Sequence, residues 1–212
     1  RAGGYRSNTE AEKEGWLTET PMTDGELRRV LLLGPPGAGK GTLGPHLSEL
    51  LGVPHVSAGR LLRAAASGDD PHRIAEQVQR GHPVPDRVAL QVIGAELGPG
   101  FILDGFPRNV RQAVELDRLL EGDGRDLQLV LELVVPDEVA SARLSRLARM
   151  ESRSDDSPDT VAARLVTYRR EAGPLLAHYT GRVRRVSASG DVDEVFLRAE
   201  RALASRPRTP SG

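Results

Sequence analysis

The sequence predicts an α/β fold in which helices cover both faces of a parallel sheet, and three observations carry that expectation. Short apolar runs alternate with helical patterns along most of the chain, the order that yields parallel strands joined by crossover helices. The stretch Leu127 to Val135 is almost continuously apolar, interrupted by Gln128 and Glu132, as a strand buried on both faces requires. A glycine-rich turn, LGPPGAGKGT from Leu33 to Thr42, lies between the first apolar run and the first helical pattern.

In chain order, Arg29–Leu33 is apolar and short enough for a strand, and Lys40–Leu51 follows as a helix. Gly44 and Pro45 fall just past its first turn, where a proline distorts a helix slightly without ending it. His55–Ser57 reads as a short strand, helices run on to about Leu97, and Phe101–Leu103 is a third strand. Helix Val110–Leu120 ends before the turn Gly122-Asp123-Gly124, and strand Leu127–Val134 follows. Helices are then expected over Asp137–Ala148, Pro158–Arg170 and Pro174–Tyr179, with the second break placed at Gly173-Pro174. Strand Val183–Val186 and helix Asp193–Ala204 complete a three-layer α/β sandwich. Residues 1–26 and 207–212 are polar and aperiodic and are expected to be disordered tails around a single domain, 27–206. Two polar stretches, about 57–87 and 147–157, are expected as peripheral lobes.

Composition narrows the function classes. The chain has 212 residues, 29 basic and 30 acidic, for a formal net charge of -1. No overall field draws it to nucleic acid or an anionic membrane. Aromatic residues are 3% of the chain, too few for base-stacking platforms. There is no cysteine, which excludes disulfides and thiolate metal sites and fits a reducing, cytoplasmic setting. No apolar stretch is long enough to span a bilayer. His46, His55, His72, His82 and His178 show no metal-ligand spacing and read as ordinary surface or packing residues.

Gly34 to Lys40 fits the pattern G-x-x-x-x-G-K between a strand and a helix, the context in which it cradles phosphates. Gly37 and Gly39 let backbone N–H groups converge on phosphate oxygens, the first helical turn adds unpaired donors, and Lys40 supplies a mobile positive charge. Further on, the strand Phe101–Leu103 runs into Asp104 and a Gly-Phe-Pro-Arg turn. In a parallel sheet Asp104 falls at the carboxyl edge beside the glycine-rich turn, where a carboxylate orients Mg²⁺ through its water shell. Capping the next helix is its competing role. Arg143 to Arg164 holds a cluster of arginines in a helix-loop-helix stretch, which serves either as a phosphate clamp or as a solvated surface.

GPPGAGKGT resembles the phosphate loop of the adenylate kinase family, nucleoside monophosphate kinases with a phosphate-loop α/β core, a helical monophosphate-binding lobe and a lid. The string DGFPR resembles that family's monophosphate-binding turn. The resemblance assigns ATP to Gly37, Ala38, Gly39, Lys40, Gly41, Thr42 and Arg143. It assigns the acceptor to Ser57, Ala58, Arg63, Val84, Gly105, Arg108 and Gln112, with Arg63 and Arg108 on the phosphate and Gln112 at the base. Lys40, Arg108, Arg153 and Arg164 would neutralise the transferring group. Asp104 would hold Mg²⁺ through water. The lid is short and lacks cysteine, so no zinc is expected. Ala58 and Asn109 lean toward a pyrimidine-specific relative, whereas Gln112 leans toward adenine. Arg60 stands where an acidic residue is usual and Leu147 where an arginine is, the features of a catalytically weak nucleotide sensor. The expectation is a monomeric adenylate kinase acting on ATP and AMP, without nucleic-acid or membrane partners.

Overall fold

The structure, a computed structural model, describes residues 27–67, 74, 84–151 and 158–204. Both expected tails, most of the stretch 68–83, and 152–157 lie outside the described residues. Five strands form one sheet: β1 (Arg29–Leu33), β2 (His55–Ser57), β3 (Phe101–Asp104), β4 (Leu129–Val134) and β5 (Val183–Ser187). Their order is β2-β3-β1-β4-β5, and every pairing is parallel. The helices are α1 (Lys40–Leu51), α2 (Ala58–Ser67), α3 (Asp86–Gly94), α4 (Val110–Gly122), α5 (Asp137–Glu151), α6 (Pro158–His178) and α7 (Val192–Ala204).

Alternation along the central strands divides the core in two. Val30, Leu32, Ile102, Leu129, Leu131 and Leu133 face one side and pack on Leu43 and Leu47 of α1, Ala140 and Leu144 of α5, and Val195 and Ala199 of α7. Leu31, Leu33, Phe101, Leu103 and Val130 face the other, against Ala89 and Ile93 of α3 and Ala113, Leu116 and Leu120 of α4. Helix α6 contributes Leu165 to the first layer and Leu175 to the second. This is the three-layer sandwich that the apolar runs imply.

Two of the differences from the sequence expectation have a direct physical cause. β4 begins at Leu129, because the side chain of Gln128 takes over the sheet's work there: its Oε1 accepts from the N–H groups of Arg28 (2.8 Å) and Arg29 (2.9 Å). The two helices expected on either side of Gly173-Pro174 are one, α6, with Pro174 inside it. An internal proline costs about 3 kcal/mol through a lost hydrogen bond and a clash, and here burial of Leu165 and Leu175 along the same helix, and of Tyr179 just past its end, outweighs it. Among the described residues no helix is long and apolar enough to cross a membrane.

Candidate active site

The chemistry-bearing residues gather at the carboxyl ends of β1, β2 and β3. β1 leads into Gly34 to Gly39, and α1 starts at Lys40 with no acidic residue in its first turn, leaving the unpaired N–H groups of that turn free of a competing carboxylate. Gly37 has φ 81°, and a Cβ there would lie 2.4 Å from the Ala140 carbonyl oxygen and 2.9 Å from Leu144 Cγ. The loop is therefore pressed against α5, on which Arg143 lies between the two contact residues Ala140 and Leu144. Ala38 is buried beneath the loop, and Gly41 and Thr42 are open to solvent. Lys40 folds back over the loop, donating from Nζ to the carbonyl oxygens of Gly34 (2.8 Å) and Pro35 (3.0 Å).

Asp104 ends β3 in register with Leu32 on one side and Ser57 on the other. Its carboxylate is the negative charge around which the cations gather. Burial lowers the Lys40 pKa, Asp104 opposes that, and Arg108 adds to it. Arg108 is likewise lowered, by desolvation first and then by Arg164, with Asp104 opposing and Arg63 adding to the fall. Lys40 and Arg108 thus share the Asp104 carboxylate, and Arg63 and Arg164, from two further elements, lie near enough to Arg108 to disfavour its charge. The gathering of like charges, each disfavouring the next, is the electrostatic form of an anion site.

The turn after Asp104 holds Arg108 in place. Gly105 has φ 80°, the Phe106–Pro107 peptide is cis, and Arg108 Nε donates to the Gly105 carbonyl oxygen at 2.9 Å. Asn109 caps α4, its Oδ1 accepting from the Gln112 N–H at 2.9 Å. Gln112 is buried and fully engaged: its Oε1 accepts from the Arg108 N–H at 2.7 Å and its Nε2 donates to Asp86 Oδ1 at 2.7 Å. Asp86, at the start of α3, also pairs with Arg111. The amide that sequence reading assigns to the acceptor base is here the tie between the Arg108 turn and α3, and Asn109 has a structural task of its own.

The remaining candidates are distributed around this centre. Ala58 is buried, about one van der Waals contact from Gly105 (3.9 Å to a Cβ placed there), and Val84 packs on the second core layer. Arg143 and Arg164 are half-buried. Arg153 lies outside the described residues, as does the side chain of Leu147. A separate polar cavity between the ends of α4 and α6, lined by Asp117, Arg125 and His178 among others, sits at the opposite edge of the sheet and holds none of the motif residues.

Sequence reading leaves His55 as an ordinary surface or packing residue, and the structure buries it beside Asp104. It stands on β2 with its side chain 7% exposed, and its Nε2 lies 3.8 Å from Asp104 Oδ2. The signal was available: His55 is two residues before Ser57, which pairs with Asp104, but no metal spacing or catalytic pattern marks it.

An adenylate kinase family model matches residues 32–184. An adenylate kinase from Thermobifida fusca is 42% identical over 187 residues, spanning 84% of this chain and 99% of that protein. One from Nocardia farcinica is 44% identical over 182 residues (82% and 98%), and one from Thermus thermophilus 42% over 178 residues (82% and 96%). The family match thus covers the glycine-rich loop, the turn bearing Arg108 and strands β2, β3 and β4 that bring them together, and the chain belongs to the adenylate kinase family.

Proposed function

We propose that the protein catalyses the reversible transfer of the γ-phosphoryl group of Mg-ATP to AMP, giving two ADP. The observation that carries the reading is the gathering of cations between the glycine-rich loop and the Asp-Gly-Phe-Pro-Arg turn: Lys40 and Arg108 share Asp104, and Arg63 and Arg164 crowd Arg108. Phosphoryl transfer asks a protein for positioning and charge neutralisation, because the transition state spreads charge over the oxygens of the moving group. The loop N–H groups and Lys40 take the donor phosphates, with Lys40 exchanging the Gly34 and Pro35 carbonyls for phosphate oxygens. Arg63 and Arg108 take the acceptor phosphate opposite. Arg164 and, from outside the described residues, Arg153 neutralise the group in flight, and Arg143 holds the donor nucleoside. Ser57, Ala58, Val84 and Gly105 form the acceptor's walls. No general base is required, since the acceptor oxygen of a monophosphate carries charge already.

Asp104 and the Thr42 hydroxyl are the hard oxygen donors that magnesium favours. Magnesium keeps most of its water and is shared with phosphates, so one or two such donors suffice to hold it. When bound it supplies further neutralisation of the phosphate charge. In this reading the acceptor lobe, 57–87, and the lid, 147–157, exclude water during transfer, and the protein works in the cytoplasm as a monomer. Gln112 reaches an acceptor base by exchanging Asp86 for it.

Steady-state phosphorylation of AMP, CMP, UMP and GMP by Mg-ATP tests the proposal, with Lys40→Ala controlling for contaminating kinase. AMP is expected to turn over fastest, with the activity lost in Lys40→Ala. Preference for CMP or UMP, or ATP binding without transfer, overturns it.

A further inference from the structure

We propose that His55 is a positioning residue that holds Asp104 from below and that Arg60 fixes the tautomer in which it does so. The imidazole is enclosed between β2, β3 and α1. Its Nε2 is the buried side-chain nitrogen that, among the described residues, has no hydrogen-bond partner. That atom lies 3.8 Å from Asp104 Oδ2, both side chains being nearly enclosed, at 7% and 11% exposure.

The other ring nitrogen decides what Nε2 carries. Arg60, in the first turn of α2, donates from Nη2 to His55 Nδ1 at 3.1 Å and reaches toward the His55 carbonyl oxygen at 3.4 Å. A guanidinium has donors and no acceptor, so Nδ1 must present its lone pair. In the neutral ring the proton is then on Nε2, on the side of the Asp104 carboxylate. At 3.8 Å this is an electrostatic contact and not a hydrogen bond, made in surroundings of low dielectric where it biases the carboxylate's orientation.

Gly44 makes the arrangement possible. A Cβ at that position would lie 2.3 Å from His55 Nε2 and 2.6 Å from Cδ2, so any larger residue in α1 would drive the ring from its place. A glycine early in a helix beside a proline is poor helix chemistry, and the ring behind it supplies the reason.

This inference rests on the assignment of Asp104 to the magnesium water shell. Partners of this kind behind a metal-orienting side chain change metal affinity or activity about 10- to 100-fold when removed. Three preparations test it: wild type, His55→Leu, which removes the donor, and His55→Gln, which returns an N–H near the position of Nε2. The Mg²⁺ concentration for half-maximal transfer is expected to rise about 10-fold in His55→Leu and to return toward wild type in His55→Gln, while KM for AMP stays constant. Equal magnesium dependence in all three overturns the inference, and so does a shift that His55→Gln fails to reverse. Wild type without magnesium-dependent transfer would instead refute the assignment of Asp104. A measurement without metal or nucleotide stands beside these, independent of whether the variants fold. In long-range ¹H–¹⁵N spectra at alkaline pH, His55 is expected in the Nε2-protonated tautomer, with the Nδ1-protonated form gaining population in Arg60→Met. A wild-type ring protonated on Nδ1 overturns the proposal.

Discussion

Gly37 and Gly39 stand two residues apart in the same loop with similar backbone angles, φ 81° and φ 96°, and differ in what surrounds them. A Cβ on Gly39 meets nothing within 4 Å, whereas one on Gly37 lies 2.4 Å from the Ala140 carbonyl oxygen and 2.9 Å from Leu144 Cγ. Substituting alanine therefore separates conformational strain from collision. Holding an L-residue at positive φ costs about 1–2 kcal/mol, and this is the whole expected penalty for Gly39→Ala. Gly37→Ala adds overpacking against the backbone of α5, which cannot swing aside as a side chain can, for roughly another 1–3 kcal/mol. At about 2–4 °C per kcal/mol for a domain of this size, Tm should fall by about 2–8 °C in Gly39→Ala and by about 4–20 °C in Gly37→Ala. Thermal unfolding followed by circular dichroism, without nucleotide, reads both. Because Ala140 and Leu144 flank Arg143, Gly37→Ala should also weaken ATP binding more than AMP binding. Equal Tm losses in the two variants would refute the claim that the loop is pressed on α5.

Gln112→Ala leaves the Arg108 N–H and the Asp86 carboxylate each short of a partner, at about 1–3 kcal/mol apiece. Chemical denaturation should show a loss of roughly 2–6 kcal/mol, and KM should rise for every acceptor tested; unchanged stability with altered base preference would show that the amide reads the base alone. Pro174→Ala restores a helical N–H donor at an exposed position of α6. It should stabilise the protein by about 1–2 kcal/mol, the helical gain exceeding the proline's restriction of the unfolded chain; a fall in Tm would refute this. Burial raises the phenol pKa values of Tyr168 and Tyr179, with help from Glu132 and Asp117 respectively. Above an unfolded value of about 10 the unfolded chain binds fewer protons than the folded one, so stability present below that pH is lost as pH rises. Titration at 295 nm should show these two of the chain's three tyrosines ionising together with unfolding; gradual ionisation in the folded state would contradict their burial.

The sheet was legible because a strand buried on both faces leaves a dense apolar run, and Leu129–Val134 is such a run. The loop and the Arg108 turn were legible because phosphate binding constrains residue type at fixed spacing. What sequence could not show is where a side chain finds its partner across the fold. Gln128 reads as a polar lapse in a strand, yet it bonds the start of β1. Asn109 reads as a specificity signal, yet it caps α4. Pro174 reads as a helix break, yet apolar contacts on both sides carry α6 through it. In each case a contact distant in sequence outweighs the local preference, and periodicity carries no information about such contacts.

The state of Lys40 bears on how the site works. Its ammonium is held by the Gly34 and Pro35 carbonyls while burial and Arg108 disfavour its charge. Two neutral carbonyls compensate a buried ammonium poorly compared with a phosphate, whose full charges and oxygens give shorter and stronger bonds. Arg108 is in the same position, disfavoured by Arg164 and Arg63 and relieved by Asp104. In the proposed reaction a polyphosphate entering between these groups would remove a repulsion as well as add an attraction, and the gain would be larger for the transition state, where charge is shared among several oxygens. Under that proposal the fold's contribution to catalysis is to hold mutually repelling cations in place before the substrate arrives, which spares the reaction the reorganisation that water would require.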